Sequence, residues 1–253
     1  MVRKLSVAQK VHLSPNFVRL TLAGEELENF PSEVAGCYVK LLFPKVEVAR
    51  ARPLNSQDVD ARDFIKRSYT VVRGDSETRQ LTLDFSIHER GGPATRWIQS
   101  VEVGQEVFVV GPGPVKMLSL EASYFFVAAD MAGLPGARAN LERLAESARG
   151  VVALEIKSEE DKLELRVPEG MKIHWLIRKG DEESRLFELA SKMQWPNERT
   201  SVWVACEYAT AAKFRRLFCD RVTIQKEDLY LSSYWKHGDT DEAHKRAKKS
   251  DIA

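Results

Sequence analysis

No wholly apolar run in the chain exceeds six residues, Tyr124 to Ala129, far short of the roughly 20 that a membrane-spanning helix requires. An excess of either charge is also missing, since 38 Lys and Arg face 37 Asp and Glu, a net of +1 with neutral histidines. That balance excludes a globally polycationic nucleic-acid binder. Cysteine is scarce: Cys37, Cys206 and Cys219 are the whole complement, and none has a partner at the two-residue spacing of zinc ribbons and iron-sulfur motifs. No metal site or intrinsic cluster is expected, and the thiols read as reduced side chains of a cytosolic fold. The N-terminus is basic through Arg3 and Lys4 but offers no continuous apolar core for a secretion signal. A cytoplasmic protein is expected, with neither a membrane nor nucleic acid as partner.

Hydrophobic residues make up 43% of the 253 and charged residues 30%, a balance that supports a buried core in one large domain or two small ones. Two halves follow different rules. Up to about Pro114, short runs rich in β-branched and aromatic residues are separated by turn residues: Phe17–Leu22, Tyr38–Phe43, Ser68–Val72, Leu81–Ile87 and Glu106–Val110. Such spacing predicts an antiparallel barrel or sandwich. Between Pro44 and Lys66 the chain is polar and without period, which reads as a long surface loop.

After Gly111-Pro112-Gly113-Pro114, strand-like runs alternate with segments of helical period. The strands are Tyr124–Ala129, Val151–Ile156, Ile173–Ile177, Ser201–Ala205 and Tyr230–Ser232. Helical spacing marks Ala137, Leu141, Leu144, Ala145 and Ala148, then Leu186 to Met193, then Ala211 to Phe218. That alternation predicts a doubly wound parallel sheet. Glu159 to Pro168 is too short and polar for a crossover helix, which leaves the strand order there open. The boundaries are accordingly 1–117 for the barrel and 118–253 for the α/β domain, whose tail, Asp241 to Lys249, has the acidic start and basic end of a solvated helix.

The most informative stretch is Arg67-Ser68-Tyr69-Thr70, followed by His88 and Gly91-Gly92-Pro93-Ala94-Thr95-Arg96-Trp97. Gly92 suits a helix start whose first residue is Pro93, where a missing N–H is no loss. Trp97, Ile98 and Val101 then form the apolar face. The open N–H groups of that start, with the Thr95 hydroxyl and the Arg67 guanidinium, would make a compact cradle for a diphosphate. Tyr69 supplies a flat ring for stacking. In the second half no Gly-x-Gly-x-x-Gly follows the first strand; Asp130-Met131-Ala132-Gly133-Leu134-Pro135 stands there instead.

These residues resemble the flavin-binding barrel of the ferredoxin reductase superfamily, with its Arg-x-Tyr-Ser/Thr motif. Tyr38 to Pro44, His88, Gly92 to Thr95, Trp97, Trp175-Leu176 with Arg178, Trp203 to Ala205 with Glu207, and Tyr234-Trp235 with Gly238 extend the resemblance to the siderophore-interacting proteins over nearly the whole chain. Two departures stand out: Ala129 and Ala132 occupy the family's usual glycine and threonine places, and Cys206 its usual glycine before Glu207. The resemblance implies FAD as cofactor, bound by Arg67, Ser68, Tyr69, Thr70, His88, Gly92, Pro93, Ala94 and Thr95. Asp130, Tyr234 and Trp235 are further expected cofactor contacts.

It also implies reduction of a ferric siderophore, with NADH or NADPH, or else a ferredoxin, as the electron source. A nicotinamide gives up a hydride whereas Fe(III) accepts one electron, so a flavin between them is the fitting carrier. Many ferric siderophores are anionic, which makes Lys40, Lys236 and Arg246 the candidate substrate cations. No side chain is assigned as a general acid or base. A general NAD(P)H-flavin or ferredoxin reductase and a siderophore-binding module without turnover are the competing readings.

Overall fold

The β-branched runs of the first half become strands because their alternate side chains can share one interior. In the computed structural model, which describes residues 1–31, 33–45, 55–87, 92–180, 182–220, 222 and 224–238, the chain divides into two compact units, Met1–Val115 and Lys116–Ala253. The first contains β1 (Val2–Ser14), β2 (Phe17–Ala23), β3 (Tyr38–Pro44), β4 (Phe64–Asp75), β5 (Gln80–Ser86), helix α1 (Pro93–Ser100) and β6 (Glu106–Val110). The strands form a closed barrel in the order β1-β2-β5-β4-β3-β6. Leu20, Leu22, Val39, Leu41, Leu81, Leu83 and Val109 fill its interior, and Ile98 of α1 and Val101 just after it join the same core.

The strand absent from the sequence expectation is β1, and it closes the barrel. It pairs with β6 from Val2 to Ser6 and with β2 from Ser6 to Ser14. Its inward positions are Arg3, Leu5 and Val7, so a cation breaks the apolar alternation that would have disclosed it. The Arg3 guanidinium is accommodated by donating to the carbonyls of Glu26 (2.9 Å) and Gly111 (2.7 Å) while lying over the Phe30 ring. The polar stretch after Pro44 also ends sooner than expected: β4 already begins at Phe64, whose buried ring meets Phe108 edge-on. Residues 55–63 contain two single-turn helices, Ser56–Asp58 and Ala61–Asp63. The expected tail helix, Asp241 to Lys249, lies outside the described residues.

In the second unit come β7 (Tyr124–Ala129), α2 (Leu134–Glu142), β8 (Gly150–Ile156), β9 (Met171–Ile177), α3 (Arg185–Lys192), β10 (Thr200–Glu207), α4 (Tyr208–Asp220) and β11 (Leu229–Trp235). The sheet is parallel with order β11-β10-β7-β8-β9. The chain lays β7, β8 and β9 in one direction and returns to place β10 on the other flank of β7, so the topological switch lies between β7 and β10. Ala137 and Leu141 of α2 pack on one face of the sheet, while Leu186 and Ala190 of α3 and Ala211 and Phe214 of α4 pack on the other. Helices on both faces make the unit doubly wound.

Two local outcomes differ from, or complete, the sequence pattern. Helix α2 stops at Glu142 although the apolar spacing runs on to Ala148, because the chain tightens into turns, Arg143 N–H donating to Asn140 and Leu144 N–H to Leu141. Leu144 and Ala148 stay buried in those turns, and Arg166 donates to the freed carbonyls of Glu142 (3.0 Å) and Leu144 (3.1 Å). The β8-to-β9 connection has no crossover helix longer than the single turn Glu159–Asp161; Leu165 and Val167 cover the α2 face of the sheet in its place.

Gly133 lets the loop after β7 lie directly on β10, since a Cβ there would sit 2.2 Å from the Ala205 carbonyl oxygen. Overpacking of this kind costs about 1–3 kcal/mol, and Gly133→Ala should lower the thermal unfolding midpoint measurably. An unchanged midpoint would mean the loop withdraws from β10 without loss.

Candidate functional site

In the first unit the site is built on β4, β5 and the start of α1. From Phe64 to Thr70, β4 is in register with β3, which sets Lys40 opposite Ser68 and Tyr38 opposite Thr70. The β4–β5 register runs instead from Val71↔Leu83 to Asp75↔Gln80, so Arg67 to Thr70 lie beyond that ladder, on the side where β5 continues to Ser86. Ser68 is exposed, Arg67 and Tyr69 are half-buried, and Thr70 is buried. The Tyr69 ring rests 4.3 Å from Phe85, and Phe85 in turn meets Trp97 of α1 at 6.3 Å. Phe85 is thus the shared neighbour through which the Arg67–Thr70 strand and the start of α1 are held in one region.

The start of α1 has no side-chain cap. Its N-cap is Gly92, which brings no side chain to the first-turn N–H groups of Ala94 and Thr95, and helix geometry gives those groups no acceptor within the helix. A Cβ added at Gly92 would meet nothing within 4 Å. The residues therefore fit a bound diphosphate, and the strand beside them fits a planar ring system, as FAD requires. Arg67 Nη1 donates to the Lys66 carbonyl at 2.9 Å, and Lys40 Nζ lies 5.7 Å over the Tyr38 ring. His88 and Arg246 lie outside the described residues.

In the second unit the candidate residues gather at the carboxyl ends of the strands. Asp130, the residue after β7, accepts the N–H groups of Ala132 (2.9 Å) and Gly133 (3.1 Å) on Oδ1 and the Trp235 indole N–H (2.8 Å) on Oδ2. Asp130 and Trp235, distant in sequence, are thus joined directly. Tyr234 packs edge-on against Trp203 at 6.4 Å, and Lys236 Nζ lies 5.2 Å over the Tyr208 ring. Burial is the largest influence on Asp130 and pushes its pKa up to about 6, with nearby Glu155 adding to the rise and the Trp235 hydrogen bond opposing it. The buried Cys206 thiol is raised well above its usual value by burial, then by Asp130, Glu155 and Glu207. It is consequently a poor nucleophile. No group of three or more metal-ligating side chains occurs among the described residues.

Sequence reasoning missed Glu155 as part of this end of the sheet and treated Glu207 only as a point of family resemblance. Glu155 accepts the Arg185 N–H at 2.9 Å, and Glu207 accepts those of Ala209 (2.6 Å) and Thr210 (3.2 Å). One signal was available: Glu155 is the lone charge in Val151–Ile156, and Glu207 ends an equally apolar run. An ionisable residue inside a fully buried strand needs a partner at the strand end.

Comparison with known proteins identifies the family. Residues 6–116 match the family model described as siderophore-interacting FAD-binding domain, and residues 122–238 that described as siderophore-interacting protein. A ferric vibriobactin reductase of Vibrio cholerae is 29% identical over 249 residues, covering 96% of this chain and 92% of the relative. The crystal structure of a siderophore-interacting protein from Aeromonas hydrophila superposes with TM-score 0.87 at 27% identity, covering 99% of this chain and 98% of that one. A siderophore utilization protein from T. fusca gives TM-score 0.82 at 30% identity, with 95% of each chain covered.

The buried carboxyl of Asp130 generates a pH prediction. Because folding raises its pKa from 3.8 to about 6, the folded state holds this proton more tightly than the unfolded chain. Its contribution to stability is complete in acid and is lost as the pH rises from about 4 through about 6. Asp130→Asn carries no such titration, so urea unfolding should show wild type losing stability relative to the variant across that window. Parallel pH profiles would rule out titration of Asp130 there.

Proposed function

The chain belongs to the siderophore-interacting protein family, and from that premise we propose that it is an FAD-dependent oxidoreductase that reduces ferric siderophores and releases Fe(II). Electrons would come from NADH, NADPH or a ferredoxin. The observation that carries the reading is the glycine N-cap of α1, which brings no side-chain acceptor to the first turn, in the same region as the Arg67–Thr70 strand. FAD, when bound, accepts a two-electron hydride and returns single electrons, the stoichiometry that Fe(III) demands.

The protein's own part is placement and electrostatics. Gly92 frees the first turn of α1, so the N–H groups of Ala94 and Thr95 and the Thr95 hydroxyl can donate to diphosphate oxygens. Arg67 adds positive charge on the neighbouring strand, while Ser68, Tyr69 and Thr70 line the ring and ribityl side. Tyr69 is steadied for that task by Phe85 behind it. Pro93 pre-sets the helix start, and His88 is a further proposed cofactor contact. In the second unit Asp130 acts through Trp235, whose indole it orients, and Tyr234 stands beside it in sequence. Lys40, Lys236 and Arg246 supply cations for an anionic chelate. Lowering iron from Fe(III) to Fe(II) weakens its attraction to hard oxygen donors, which loosens the complex.

The direct test is anaerobic. The purified protein should be yellow, should bleach with NADH, NADPH or reduced ferredoxin, and should regain its colour with ferric siderophores. Equal reoxidation by carrier proteins and no preference for iron chelates would favour a general flavin or ferredoxin reductase. Colourless protein that takes up no FAD would favour a binding module.

The glycine cap of α1 gives a sharper variant. Gly92→Asp provides a good N-cap, so α1 is retained, but its carboxylate occupies the N–H groups and repels diphosphate. FAD affinity should fall by about tenfold or more with unchanged far-UV circular dichroism. Undiminished FAD binding would remove α1 from the cofactor site.

A further inference from the structure

Parallel α/β sheets take nucleotide phosphates at the helix starts facing the carboxyl ends of the strands, above all at the topological switch. In this chain that position belongs to the ends of β7 and β10. Among the described residues, a carboxylate of the chain itself stands at each of the three α-helix starts on this rim of the second unit. Asp130 takes the two N–H groups before α2, where Pro135 has none to offer, Glu155 takes the first N–H of α3, and Glu207 takes two in the first turn of α4.

These carboxylates are not surface groups that a ligand could push aside. Asp130, Glu155 and Glu207 are 6%, 3% and 7% exposed. Their second oxygens are also engaged, by Trp235 Nε1 (2.8 Å), Arg178 Nη1 (3.4 Å) and the His237 N–H (3.3 Å). The crevice has little backbone room either, because Gly133 presses its loop onto the Ala205 carbonyl. The α1 start of the barrel unit, by contrast, has a glycine N-cap that brings it no side-chain acceptor.

We propose that Asp130, Glu155 and Glu207 are specificity-determining residues that exclude the diphosphate of a dinucleotide donor from the helix starts of the second unit. This deepens, and rests on, the reading of the chain as a flavin reductase supplied by an external donor. The donor then reduces the flavin without diphosphate anchorage in this crevice, so adenine-bearing fragments of NAD(P)H gain no purchase there.

The test uses the full-length holoprotein at pH 8, with inorganic pyrophosphate and ADP-ribose as probes, followed by calorimetry and amide hydrogen exchange. Wild type should show no probe-induced slowing of exchange at residues 132–133, 185 or 209–210; slowing there would overturn the proposal. Binding of either probe that leaves those amides unchanged supports it. Glu207→Ala, which bares two N–H groups and removes a charge, should gain about fivefold in pyrophosphate affinity, within the range of a helix-end charge interaction. Glu207→Gln keeps an acceptor for the first turn and should gain less; it serves as the readout where Glu207→Ala fails to fold. No gain in a folded variant would overturn the assignment. Failure of the flavin reading shows separately, as colourless protein, since pyrophosphate binding at these amides is read without reference to flavin turnover.

Discussion

A helix start carries N–H groups with no acceptor inside the helix, and each must find one. How this chain meets that demand separates its two units. In the α/β unit, Glu155 and Glu207 answer it from within at α3 and α4, and Asp130 takes the N–H groups of the turn that leads into α2. In the barrel unit, the N-cap of α1 is Gly92, which brings no side chain to it. The same physical requirement is thus met by buried carboxylates at α3 and α4 and by no N-cap side chain at α1. Burying three acids is costly unless each is hydrogen-bonded, and the N–H groups, with Trp235, Arg178 and the His237 backbone, supply those bonds. Burial still raises the Asp130 pKa above its usual value.

The barrel supports the start of α1 through aromatic packing. Tyr69, Phe85 and Trp97 form a chain of ring contacts, and Trp97 also meets Phe43 edge-on at 5.6 Å. The proposed ring-binding strand and the proposed diphosphate-binding helix therefore share a rigid backing. Closure by β1 matters for the same reason. Without it, β2 and β6 would each present an edge, and the core that Ile98 of α1 and the following Val101 join would lose a wall.

Membership of the siderophore-interacting proteins and the two-part β then α/β architecture were legible because both rest on local signals. β6 and β7 coincide with their apolar runs, and Pro93 after Gly92 marks the start of α1. β1 was not legible because Arg3 occupies an inward position, and the alternation reads as polar until Glu26, Gly111 and Phe30 are seen around it. The C-terminal limit of α2 was not legible because Leu144 and Ala148 are buried by turns at helical spacing. Both misses have one cause: apolar or polar spacing reports burial, and burial depends on partners far along the chain.

The amino-acid order alone determined the strand and helix inventory of most of the chain, the Arg67–Thr70 and Gly92–Thr95 motifs, and the absence of a glycine-rich dinucleotide loop. Those properties follow from neighbours within a few residues, where side-chain type and spacing set the backbone directly. Only the tertiary structure decided that Trp235 completes Asp130 across 105 positions, that Glu155 serves α3 across 30, and that Phe85 backs both motif segments. Such pairings depend on strand order and on which distant elements meet, and no local pattern encodes either.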